Sequence, residues 1–90
     1  MRLKNHTETE TIRLHKSLSR LGWSLDDCRI YAPLTLEINA LKKQKNAIIL
    51  AHSYQSPDIV YGVADFVGDS FGLSQIAARH AAMTIVFCSV

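Results

Sequence analysis

Four stretches of the chain repeat apolar residues at helical spacing, and two shorter ones are apolar almost without interruption. Leu14, Leu18 and Leu21 recur at intervals of four and three. They predict a helix over Thr7 to Leu21, opened by a capping box of Thr7 with Glu10 and closed by Gly22. Trp23 to Ala32 reads as a connector. Pro33 then starts a second helix to about Lys45, with Leu34, Ile38 and Leu41 on one face and Lys42, Lys43 and Lys45 at the negative pole of its dipole. Asn46 marks the stop. Ala47 to Ala51 is a continuous apolar run of strand length, the pattern of a parallel strand covered on both faces. Ser56-Pro57-Asp58 starts a third helix, with Ser56 as N-cap and Ile59, Val63 and Phe66 on its inner face, although Gly62 interrupts it. Asp69 or Ser70 caps a fourth, whose inner face is Leu73, Ile76, Ala77 and His80. Met83 to Cys88 is the second β run.

Two such strands separated by helices predict a parallel pair joined by a crossover, hence an α/β fold. Two strands do not close a sheet, so its edges and faces are left without partners. The expectation is the N-terminal piece of a larger α/β protein, or a chain completed by another, and independent folding is not expected.

In an α/β sheet ligands bind outside the carboxyl ends of the strands. There the chain places His52, Ser53, Tyr54 and Gln55, and a few residues later Gly68-Asp69-Ser70. A histidine and a tyrosine one residue apart offer a donor, an acceptor and a titratable ring to a small molecule. Taken alone, His52 reads first as a strand-end histidine satisfied by backbone, Tyr54 as a loop aromatic over the sheet edge, and Ser70 as a helix cap.

Composition narrows the classes. With 90 residues there is room for one modest domain, and 48% hydrophobic with 20% charged residues is ordinary for a globular chain. A net charge of +2, with basic residues scattered, argues against nucleic acid. The apolar run near residues 47 to 51 is too short to span a bilayer, and residues 1 to 21 lack a secretion signal, so no membrane partner and a cytoplasmic location are expected. Cys28 and Cys88 show no zinc spacing and no disulfide is expected. Gly62, Gly68 and Gly72 form no nucleotide-binding motif.

The segment EINALKKQKNAIILAHSYQSPDIVYGVADFVGDSFGLSQIAA, followed by IVFC, resembles the N-terminal region of quinolinate synthases over about residues 34 to 90. The resemblance divides the chain into a helical leader, 1–33, and a partial first α/β domain, 34–90. It implies a Rossmann-like three-layer α/β/α domain, the first of three similar ones. It also implies an enzyme, a transferase, that condenses iminoaspartate with dihydroxyacetone phosphate to quinolinate for NAD biosynthesis, with L-aspartate oxidase as supplier of iminoaspartate. The family carries a [4Fe-4S] cluster whose iron acts as a Lewis acid. Its cysteine ligands lie downstream of the matched region, so no metal ligand is expected in this chain. By the resemblance His52 and Ser70 match positions that hold the iminoaspartate carboxylates, and Tyr54 matches a pocket tyrosine suited to proton transfer. Ser53 stands where the family commonly has Asn, and Ser89 where it commonly has Gly. On this reading the isolated chain is inactive. The alternative is a non-catalytic remnant or a small carboxylate-binding module.

Overall fold

The computed structural model describes residues 2–79 and 84–88. Its elements run α1 (Arg2–Leu18), a 3-10 turn (Ser19–Leu21), α2 (Leu25–Gln44), β1 (Ala47–His52), α3 (Pro57–Gly62), β2 (Phe66–Gly68), α4 (Ser70–Arg79) and β3 (Thr84–Cys88). The three strands form one parallel sheet in the order β2-β1-β3. The α/β expectation holds, and β1 and β3 pair in parallel from Ala47↔Thr84 to Ala51↔Cys88.

The first helix begins earlier than its pattern suggests. Thr7 lies inside α1 and its carbonyl accepts from the Thr11 hydroxyl at 2.8 Å, so the expected Thr7–Glu10 capping box does not form. Glu10 turns inward instead. The buried stripe of α1 is Glu10, Thr11, Leu14 and Leu18, and Leu21 is exposed in the turn that follows. Gly22 does close the segment, at φ 91°, a conformation that favours glycine.

The second helix starts eight residues before the expected Pro33. Ser24 accepts from the Asp27 amide and Asp27 accepts from the Ser24 amide, a complete capping box in the stretch read as a connector. Pro33 therefore sits in a helix interior, where it removes one backbone hydrogen bond at a cost of about 3 kcal/mol. Burial of Cys28 and Ala32 against Leu14 and Leu18, with Trp23 and Tyr31 packed beside them, offsets that cost. The buried face of α2 is thus Cys28, Ala32 and Thr35, while Leu34 and Leu41 on the expected face remain exposed.

Asn46, at φ 49°, turns the chain from α2 into β1 as its position suggests. Within β1, Ile49, Leu50 and Ala51 are all buried, the two-faced burial that an unbroken apolar run predicts. The third helix is shorter than expected. It ends at Gly62, and Phe66 lies in β2 on the side of β1 away from β3. Gly62 is buried because α1 and α2 come close: a Cβ there would meet Thr35 Cγ2 at 3.0 Å and Leu14 Cδ2 at 3.4 Å. In α4 Leu73 is buried and Ile76 and Ala77 are half-buried, as expected; His80 lies outside the described residues. The outer strand β3 leaves Val86 and Phe87 exposed, so it is an uncovered edge rather than a buried strand. No described helix is long and apolar enough to cross a membrane.

Candidate functional site

With β1 in the middle, the chain leaves it for β2 on one side and β3 lies on the other, so the carboxyl end of β1 is a switch point of the sheet. The last residue of β1 is His52, which stands opposite Gly68 in the register of β1 and β2. Ser70 is two residues further on, the first residue of α4. The structure therefore brings His52 and Ser70, 18 positions apart in sequence, to neighbouring strand ends at one edge.

The loop after β1 is tied down by its own backbone. The Ser53 amide donates to the Gly68 carbonyl at 3.0 Å and the Gln55 amide to the His52 carbonyl at 2.9 Å. Inside this turn the Tyr54 amide donates to His52 Nδ1 at 3.2 Å. The imidazole and phenol rings stack with centroids 4.3 Å apart and planes 28° from parallel. His52 is half-buried, whereas Tyr54 is 79% exposed.

At the other wall Asp69 is the cap of α4. Its Oδ1 accepts from the Gly72 amide at 2.7 Å and its carbonyl from the Leu73 amide at 3.0 Å. Ser70 is thereby relieved of capping and stays exposed at the positive pole of the helix. Ser56 forms no side-chain cap on α3, whose first turn is closed by the Ser56 carbonyl and the Ile59 and Val60 amides. The edge thus presents an imidazole, two hydroxyls and a helix start, a set that suits an anionic ligand.

Two polar clusters escaped the sequence reading. In the first, the guanidinium of Arg13 grips Glu10 through Nε at 2.7 Å and Nη2 at 2.8 Å and donates to the Gly62 carbonyl at 2.9 Å. The Thr35 hydroxyl also donates to Glu10, and Asn39 reaches the same Gly62 carbonyl at 3.0 Å. Burial alone would raise the Glu10 carboxyl, but the hydrogen bonds of Arg13 and Thr35 and the Arg13 charge outweigh it and hold it below the usual value. In the second, Asp65 accepts from the Ile49 amide at 2.7 Å and from Lys42 Nζ at 3.0 Å, while Lys42 also donates to the Val63 carbonyl at 2.6 Å. Both clusters brace the start of β2 and the end of α3, behind the site rather than in it.

The cysteines are both free thiols. Cys28 is sealed in the helical core, and burial, then the Asp27 charge, push its thiol up. Cys88 ends β3 opposite Ala51. Among the described residues no three His, Cys, Asp or Glu side chains converge as a metal-binding group.

Residues 36–90 match the family model described as quinolinate synthetase A protein. The chain belongs to the quinolinate synthetase A family. A quinolinate synthase of Caulobacter vibrioides is 56% identical over 62 residues, 69% of this chain and 17% of that protein. One from Clostridium acetobutylicum is 61% identical over 54 residues, 60% of this chain and 18% of its own length. A third, from Thermus thermophilus, is 58% identical over 57 residues, 63% of this chain and 18% of its own. The chain therefore spans less than a fifth of the relatives it matches. His52, Tyr54 and Ser70 all fall within the stretch that matches the quinolinate synthetase A model, while α1 lies outside it.

Proposed function

We propose that this chain forms one wall of a quinolinate synthase site in which iminoaspartate is held for condensation with dihydroxyacetone phosphate, a step toward NAD in the cytoplasm. The observation that carries the reading is the meeting of His52, Tyr54 and Ser70 at the carboxyl edge of the central strand. His52 and Ser70 hold the carboxylates of the substrate, with the positive pole of α4 behind Ser70. The Tyr54 hydroxyl is exposed on the same edge and serves proton transfer. L-aspartate oxidase supplies the iminoaspartate. The [4Fe-4S] cluster and the remaining walls come from polypeptide that this chain does not contain, and the chain alone makes no quinolinate.

A chimera tests this. The matched stretch of the Thermus thermophilus relative is replaced by that of this chain, and quinolinate formation is measured. The chimera retains activity; His52→Ala lowers kcat/KM by ~10²-fold or more and Ser70→Ala raises KM by about tenfold. A folded chimera whose His52→Ala and Ser70→Ala variants keep full activity overturns the assignment.

A further inference from the structure

We propose that Tyr54 is a positioning residue whose backbone amide and ring lock His52 in the Nε2–H tautomer, so that the imidazole meets its ligand as a hydrogen-bond donor. The ligand in this statement is the carboxylate of the site reading above; the tautomer itself rests on geometry alone.

An amide N–H can only donate, so His52 Nδ1, 3.2 Å from the Tyr54 nitrogen, contributes its lone pair. In a neutral imidazole the proton then resides on Nε2. The bond is not an accident of a loose loop. The amides on either side, Ser53 and Gln55, are committed to the Gly68 and His52 carbonyls, and these bonds set where the Tyr54 amide points. The Tyr54 ring covers one face of the imidazole, which hinders rotation about the bond that would exchange Nδ1 for the ring carbon. At 79% exposure that ring has little core to pack on, and it stacks on His52.

The consequence for chemistry is specific. With Nδ1 occupied and Nε2 protonated, His52 gives a hydrogen bond to an anionic oxygen and takes no proton from the substrate. His52 then orients, and proton transfer falls to another group.

The test uses the 90-residue chain with 15N-labelled histidine at alkaline pH, the His52 signals being assigned by their loss in His52→Gln. Long-range 1H–15N correlations of the wild type and of Tyr54→Phe show the single Nε2–H pattern. Tyr54→Pro, which has no amide proton, shows a tautomer mixture. An Nδ1–H or averaged pattern in the folded wild-type chain or, where the 90-residue chain does not hold its fold by circular dichroism, in the chimera overturns the proposal without recourse to any variant. In the chimera, Tyr54→Pro raises KM by about tenfold relative to Tyr54→Phe, with kcat less affected. Equal KM values for the two variants overturn the link from tautomer to binding. Failure of the site reading looks different: His52→Ala then leaves the chimera fully active while the wild-type tautomer is still Nε2–H.

Discussion

Glu10 has an environment its sequence neighbours do not suggest. It is 6% exposed on a helix face otherwise lined by Thr11, Leu14 and Leu18, and it is neutralised by Arg13 and bonded by Thr35 from the next helix. Its carboxyl is held below the ordinary value of 4.5. A folded state that holds a carboxyl down binds fewer protons than the unfolded chain. The stabilisation is therefore complete above that value and is lost as pH falls through the folded pKa. Urea unfolding between pH 7 and pH 3 is expected to show this acid loss, and Glu10→Gln to flatten it. Thr35→Val removes one donor from a buried carboxylate and costs about 1–3 kcal/mol in the same experiment. At this scale the candidates His52 and Tyr54 are legible because polar residues follow an apolar run, while Ser70 taken alone reads as a helix cap and joins them through the family resemblance. The clamp is not legible, because Glu10 and Arg13 three apart look like an ordinary surface pair until Thr35 and Gly62 arrive from other elements.

Among elements, α2 and α3 show how packing overrides local signals. Pro33 is a strong start signal, yet the capping box nine residues earlier and the burial of Cys28 and Ala32 extend the helix through it. Gly62 reads as a weak point within a long helix, but it ends a short one where α1 and α2 approach. Gly62→Ala sets two effects against each other. Helix propensity favours alanine by roughly 0.5–1 kcal/mol, while overpacking of a methyl 3.0 Å from Thr35 Cγ2 costs roughly 1–3 kcal/mol. The clash is expected to win, lowering Tm in a thermal melt followed by circular dichroism. A Tm at or above that of the unsubstituted chain means Thr35 yields at little cost. The helix boundaries were missed because each depends on a neighbour many residues away. The strand β1 was found because a strand buried on both faces announces itself in its own composition.

As a whole, the molecule is a helical pair, α1 and α2, beside a three-stranded parallel sheet whose outer strand β3 is open. Ile38 and Leu41 of α2 and Ala47, Ile49 and Val86 of the sheet border an apolar cleft of about 190 Å³. Val86 is 41% exposed, and β3 carries no charge and no proline along Thr84–Cys88. Such an edge is a template for further strand pairing. The isolated chain is expected to self-associate, and Val86→Lys to shift it toward monomer with a change in stability below about 1 kcal/mol, as read by sedimentation velocity and urea unfolding. Unchanged association in Val86→Lys places the contact elsewhere.

The sequence by itself determined the α/β class, the parallel pairing of β1 with β3, the helix starting near Ser70 and the family, because these are written in local runs and in an ordered motif. Only the tertiary structure decided the rest. It put Phe66 to Gly68 into a third strand, made Asp69 rather than Ser70 the cap, turned Glu10 inward, and ran α2 through Pro33. The physical reason is common to all four: each depends on hydrogen bonds or packing whose worth is set by a second element, or on a choice between adjacent residues that local propensity leaves nearly balanced.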